Sequence, residues 1–150
     1  MISRDLASYE ELSRLIDVSI DQYKDPIYGS DKEEALGRVW GAYLHRGFFQ
    51  VIEDNGKIVA WGLCVEQNPV LHSSQKALSQ IYYHVDRQIP LMAKYRAMRL
   101  FHMMMIEESY RRKLGFCTSN SVLENSNTFN EILSKMGWIK YGSTMVYKTR

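Results

Sequence analysis

The stretch Asn125-Ser126-Asn127-Thr128-Phe129-Asn130-Glu131-Ile132-Leu133-Ser134-Lys135-Met136-Gly137-Trp138 decides how the rest of the chain is read. It opens on asparagine and serine, whose short polar side chains bond to nearby backbone and so favour turns and helix starts. Asn127 precedes a helix predicted over 128–136 and is a natural N-cap for it. Gly137 ends that helix, because glycine takes the left-handed conformation that closes a helix without steric cost. Trp138 then opens a final strand predicted to run to 148.

Working outward, 116–123 reads as a strand, and before it 92–114 is a long helical stretch rich in Met, Leu, Ala and Arg, closed by Gly115. Pro90 separates this helix from a strand over 77–86, where Ile81, Tyr82, Tyr83 and Val85 supply β-favouring side chains. Further back lies a hairpin: strands over 48–52 and 57–65 flank Glu53-Asp54-Asn55-Gly56, and Asn-Gly is a strong two-residue turn signal. The N-terminal third carries two amphipathic helices. Ser8-Tyr9-Glu10-Glu11 is a capping box ahead of Leu12, Leu15, Ile16, Ser19 and Ile20, and this helix ends near Tyr23, before Asp25-Pro26. Ser30 or Asp31 caps the second, whose apolar positions are Ala35, Leu36, Val39, Trp40, Tyr43 and Leu44 and which Gly47 stops.

The predicted order is (β)-α-α-β-β-β-α-β-α-β, with the bracketed strand at the very start. Strands around one long crossover helix imply an α/β (α+β) fold with a mixed sheet covered by helices. The 150 residues fit one domain over 1–150, with no internal repeat and no linker.

The net charge of +2 and the spread of basic residues give no nucleic-acid footprint, although Arg111-Arg112-Lys113, with Lys94, Arg96 and Arg99 before it, suits a phosphate-bearing small ligand. The run is otherwise a solvated helix end complementing the dipole. Cys64 and Cys117 have no partner at metal spacing and read as buried apolar residues. No metal-ligand cluster appears, and His72-Ser73-Ser74 lacks the spaced carboxylate of a hydrolase triad. Without a signal pattern or an apolar run of about 18 residues, the expected setting is a reducing cytoplasm without membrane insertion.

The element order, the Ile58-Val59-Ala60-Trp61-Gly62 strand, the Leu114-Gly115-Phe116 junction and the motif from Asn125 to Trp138 together resemble the GNAT superfamily of acyl-CoA-dependent N-acetyltransferases. The resemblance covers nearly the whole chain and implies the GNAT fold, with acetyl-CoA as cofactor and an amine, on a small molecule or a protein, as acceptor. It implies that the pantetheine arm lies along Tyr82, Tyr83, His84 and Val85, where two parallel strands splay apart. The pyrophosphate would approach 87–97, including Lys94 and Arg96, at the N-terminus of the long helix. Asn125 and Asn127 would contact the cofactor, with capping as the competing reading for Asn127.

The chain departs from the family pattern in two places. Between Asp86 and Gly115 there is no glycine, and Lys94-x-x-Ala97-x-Arg99 is the nearest match to the family's phosphate loop. Leu133 stands where many members carry a general-acid tyrosine. For proton transfer the candidates are His84 and Tyr83, with Gln80 and Asp86 nearby, and His84 has the intrinsic pKa suited to a base. Alternation puts His84 and Tyr82 on one face, where both are alternatively packed or solvated. His102 reads as a helix-packing histidine. Trp40 and Tyr43, with Tyr23 and Tyr28, read as core and surface aromatics or as walls of an acceptor pocket. Two functions remain open. One is an N-acetyltransferase. The other is a GNAT-like domain without catalysis, serving as a binding or virion structural protein, with a protein partner or a second copy, in the pattern of compact phage proteins; its setting would be host cytoplasm or virion.

Overall fold

The computed structural model describes residues 1–23, 30–68, 74–120 and 126–140. Along the chain run β1 (Ile2–Asp5), α1 (Tyr9–Gln22), α2 (Lys32–Leu44), β2 (Phe48–Asp54), β3 (Lys57–Gln67), β4 (Ala77–Val85), α3 (Leu91–Arg111), β5 (Phe116–Thr118) and α4 (Ser126–Lys135). This is the expected order up to α4. Of the expected last strand, Trp138, Ile139 and Lys140 have no regular structure and 141–148 lies outside the described residues. The short N-terminal strand forms because β1 pairs with β2 from Ile2↔Glu53 to Asp5↔Gln50.

The five strands follow sequence order, antiparallel except for the parallel pair β4–β5. Two local signals act as read. Asn55 and Gly56 both take positive φ, 51° and 77°, closing the β2–β3 hairpin. Ser8 caps α1 by accepting from the Glu11 amide at 3.0 Å. The Glu11 carboxylate reaches the Ala7 amide at 2.8 Å and Arg4 at 2.6 Å, tying the helix start to β1.

Helices α1 and α2 cover one face of the sheet through Leu12, Leu15, Ile16, Leu36 and Val39 against Phe49, Val51, Trp61 and Leu63. On the other face, Ala97, Phe101 and Met105 of α3 pack on Ile52, Ala60, Cys64 and Leu78. Phe101 sets how closely α3 approaches. A Cβ on Gly62 would lie 2.6 Å from its Cζ and 2.7 Å from the Tyr82 carbonyl oxygen, so only glycine fits. At the far end of α3, Arg112 corrects the expectation of a solvated run: its side chain is only 10 % exposed. It donates to the Arg46 carbonyl at 2.7 Å, to Glu66 at 3.0 Å and to Glu108 at 2.6 Å, because the long helix ends against the α2–β2 turn.

Gly62→Ala is therefore expected to cost about 1–3 kcal/mol through overpacking. Gly41→Ala, in the last turn of α2 where an added Cβ meets nothing within 4 Å, is expected to gain roughly 0.4–1 kcal/mol. Urea unfolding midpoints of the two variants check the contrast.

Candidate functional site

The parallel pair β4–β5 holds for Ala77↔Phe116, Leu78↔Cys117 and Ser79↔Thr118 and then stops. On the other side of β4, in the β3–β4 ladder, Cys64 faces Gln80 and Leu63 faces Tyr82, so Ile81 is an extra residue, a β-bulge. A bulge bends its strand and ends or re-aims pairing, and past Ser79 and Thr118 the two strands share no ladder pair among the described residues, an unpaired stretch termed the wedge. The bulge also shifts the alternation: Leu78 and Gln80 face α3, and beyond it Tyr83 takes that face. Side chains bridge the apex. Thr118 Oγ1 donates to Ser79 Oγ at 2.6 Å, Gln80 Nε2 donates to the Asn120 carbonyl at 3.3 Å, and Ser119 Oγ bonds Gln80 Oε1.

Tyr82 and His84 share the α1 face, as alternation requires. The Tyr82 hydroxyl bonds Ser19 Oγ and accepts from Trp61 Nε1 at 2.8 Å, and burial pushes it up to about 12. His84 stacks on Trp61, ring centroids 4.6 Å apart. Its Nε2–H donates to Gln22 Oε1 at 3.0 Å, since an amide oxygen only accepts. That oxygen also accepts from the Arg87 amide at 2.8 Å, while Gln22 Nε2 donates to Asp86 Oδ1 at 2.9 Å. Burial pushes the His84 imidazole down to about 4 against the opposing pull of Asp86. Burial would raise Asp86, but bonds from the Gln88 amide, Gln22 and Lys57 outweigh it and hold the carboxyl below its usual range.

Tyr83 points the other way. Its ring packs on Phe101 at 4.9 Å and His102 at 6.0 Å, and its buried hydroxyl has no hydrogen-bond partner among the described residues. Burial pushes that hydroxyl far up. Val85 joins the apolar cluster of Ile52, Ala60 and Ala97. The fold thus brings Tyr82 and His84 together and sets Tyr83 and Val85 apart from them.

His102, expected as a packing histidine, is fully buried among Tyr83, Phe101, Phe129 and Trp138. It does more than pack. Its Nδ1–H donates to the Met98 carbonyl at 2.8 Å, and its Nε2 lies 2.8 Å from the half-buried Ser119 Oγ. Burial pushes this imidazole down to about 4 as well, against the pull of the Met98 bond. The sequence offered no signal for Ser119. The β4–β5 pairing, with α3 packed over it, brings Ser119, Gln80 and His102 to one point.

At the other end of the wedge, α3 begins at Leu91 directly after Pro90. Lys94-x-x-Ala97-x-Arg99 is therefore helix throughout, with Ala97 fully buried against the sheet, and not a phosphate-binding loop. Lys94 Nζ donates to the Arg87 carbonyl at 2.7 Å, and Arg96 lies 3.9 Å from Asp54. The amides of Ala93 and Lys94 both bond the Pro90 carbonyl, which leaves those of Leu91 and Met92 outside the helix ladder.

The motif that opened the sequence reading closes the site. Because α4 starts at Ser126, Asn127 sits exposed within its first turn and not at the cap, and Asn125 lies outside the described residues. Gly137 takes φ 92° and donates to the Ser134 carbonyl, while the Trp138 amide donates to that of Leu133 at 3.0 Å. This is a Schellman ending. It turns Trp138 back so that its ring lies 5.4 Å from that of His102, and Leu133 is buried. Between α3 and α4 a cleft of about 260 Å³ is lined by Tyr95, Arg99, Met103, Ile106, Lys135 and Met136. No helix among the described residues is long and apolar enough to cross a membrane, and none of their His, Cys, Asp and Glu side chains cluster as a metal site.

Solved structures share this architecture along almost their whole length. A glucosamine-6-phosphate N-acetyltransferase from Arabidopsis thaliana superimposes with TM-score 0.66 at 15% identity, covering 99% of this chain and 98% of its own. A GNAT family acetyltransferase from Staphylococcus aureus gives 0.65 at 16%, covering 98% and 97%. An aminoglycoside 6'-N-acetyltransferase from Acinetobacter haemolyticus gives 0.64 at 9%, covering 100% and 98%. The chain has the GNAT fold. No protein-family model and no curated protein matches the sequence, so the likeness is one of fold. In GNAT terms, the departures read from the sequence survive: the β4–α3 connection has no glycine, and Leu133 is a core residue.

Both buried imidazoles titrate lower in the folded chain, about 4, than the ordinary 6.5. The unfolded chain therefore takes up protons first, and stability is intact above about pH 6.5 and falls as the pH drops toward 4. The loss between about pH 7 and pH 5 is expected to be on the order of 2 kcal/mol for each imidazole. Asp86, Glu11 and Glu108, whose carboxyls are held low, add their loss only further into acid. Urea unfolding at the two pH values, with His84→Gln showing a smaller drop than the wild-type chain, checks this.

Proposed function

We propose that the chain is an N-acetyltransferase that moves an acetyl group from acetyl-CoA to an amine. The observation that carries this reading is the wedge, where β4 and β5 part after Ser79 and Thr118. Beyond Gln80 the backbone of β4 has no ladder partner on its β5 side among the described residues. Backbone donors and acceptors in that state suit an extended amide-bearing arm, which adds to a strand edge as a peptide does.

In this reading the arm runs along β4 from Val85 back to Gln80, with its thioester at the apex beside Ser119. The phosphates meet the Leu91 and Met92 amides, where the helix dipole favours an anion, and Arg96 and Lys94 supply positive charge nearby. Lys94 serves this role only after leaving the Arg87 carbonyl it now holds. Since no glycine opens the β4–α3 connection, the phosphates are held from the helix end and by side chains, which predicts modest affinity. The amine, on a small molecule or a protein, approaches from the α1 side, where Tyr82, His84 and Gln22 stand. In the net reaction the amine nitrogen bonds to the thioester carbon, the C–S bond breaks, and the proton lost by the amine ends on the released thiol. An acyl-CoA donor and two free cysteines agree with a reducing cytoplasmic setting.

Isothermal titration with acetyl-CoA checks the reading. The expected dissociation constant lies within about 1 μM to 1 mM, and it weakens several-fold when Lys94 and Arg96 are both changed to Ala. Absence of binding at millimolar acetyl-CoA contradicts it, and would favour a GNAT-fold domain that binds a partner without catalysis.

A further inference from the structure

We propose that Ser119 is a nucleophile that takes the acyl group of an activated ester or thioester, with His102 as its base. A serine becomes a nucleophile when a base sits within hydrogen-bond reach and a third group fixes the base's orientation. All three parts are present: Ser119 Oγ lies 2.8 Å from His102 Nε2, and His102 Nδ1 is held at 2.8 Å by the Met98 carbonyl. A carbonyl oxygen only accepts, so the ring's hydrogen is on Nδ1 and Nε2 presents its lone pair to the serine. Burial keeps that imidazole neutral at physiological pH. This proton arrangement suits removal of the serine proton and does not suit donation of one.

The surroundings match the task. Ser119 stands half-buried at the apex of the wedge, reachable from outside, while His102 behind it is sealed from water. Two buried donors flank the imidazole without an acceptor among the described residues, the Tyr83 hydroxyl and the Trp138 indole N–H. Their rings stand 6.0 and 5.4 Å from that of His102. Unpaired buried donors are costly, and donors of this kind stabilise a developing oxyanion where the two come within hydrogen-bond reach. Gln80 Oε1 competes with His102 for the serine's one hydrogen and would release it when an acyl group enters.

In the step itself, Ser119 Oγ bonds to the acyl carbon as its proton passes to His102 Nε2. The C–S or C–O bond then breaks, and the leaving thiolate or alkoxide takes that proton from His102. An amine, or water, then attacks the acyl-serine ester as its proton passes to His102 Nε2, the bond from the acyl carbon to Ser119 Oγ breaks, and His102 gives that proton to the departing oxygen. The proposal deepens the acyl-transfer reading and, for its thioester donor, rests on it; its ester chemistry is readable without CoA.

The test is intact mass and peptide mapping of the full chain after incubation with p-nitrophenyl acetate and, separately, with acetyl-CoA. Expected are a burst of p-nitrophenolate of about one equivalent and an acetyl group on Ser119. Ser119→Ala should lose the label, and Ser119→Cys should restore one at that position. His102→Gln should slow acylation by about 10²–10⁴-fold, with thermal melts showing that each variant is folded. An ester label on Ser119 without binding of acetyl-CoA would support the nucleophile and overturn the CoA reading. Acetyl-CoA binding and amine acetylation with Ser119 unlabelled by either donor would overturn the nucleophile and leave the CoA reading standing. Labelling that persists at full rate in His102→Gln would also overturn the pairing.

Discussion

The extra residue that β4 carries at Ile81 governs the functional end of this protein. Opposite it, β3 runs Leu63 to Cys64 without a gap, so β4 must bend to keep both Gln80 and Tyr82 in register. The bend comes just past the last of the three β4–β5 residue pairs, and it exchanges the faces on which later side chains stand. Tyr83 therefore faces α3, and Tyr82 with His84 faces α1. An unbulged strand would have continued the Leu78 and Gln80 face onto Tyr82, leaving the two clusters without their present members.

What makes the bend useful is that the groups around it are rigid. Phe101 seats α3 directly on Gly62, which fixes the height of His102 above the sheet, one residue further along the helix. The Schellman turn at Gly137 folds Trp138 back against the same imidazole. His102 is thus held by a helix, a strand and the end of α4, while its Nε2 lies 2.8 Å from Ser119 Oγ, just past the end of β5. On the opposite face, Gln22 bridges His84, Asp86 and the Arg87 amide, locking the connection from which α3 departs. The free edge of β4 lies between these two fixed clusters, so a ligand added there, as proposed, needs little reorganisation.

Much of the architecture was legible in the sequence because it rests on local chemistry. Ser8, Asn55-Gly56 and Gly137 impose caps and turns by themselves, and alternation sorted Tyr82 with His84. The rest has the opposite character. Asn127 reads either as a cofactor contact or as a cap, and it is not the cap because the helix starts at Ser126; helix boundaries shift by a residue at small energetic cost. Lys94 to Arg99, the nearest match to the family's phosphate loop, lies in the helix expected over 92–114, because the leucine, methionine and alanine around it are strong helix formers, and that helix begins at once after Pro90. Arg112 was read as solvated because sequence does not reveal that α3 ends beside Glu66 and the Arg46 carbonyl. Ser119 carried no signal at all, since its partners Gln80 and His102 lie 39 and 17 residues away.

Whether the wedge beyond Ser79 and Thr118 receives the acyl donor is decided by a crystal structure of the chain with CoA. Expected are the pantetheine arm against the free edge of β4 from Val85 to Gln80, the pyrophosphate at the Leu91 and Met92 amides, and the thiol beside Ser119. CoA seated elsewhere, or a wedge closed by continued β4–β5 pairing past Thr118, would contradict this reading.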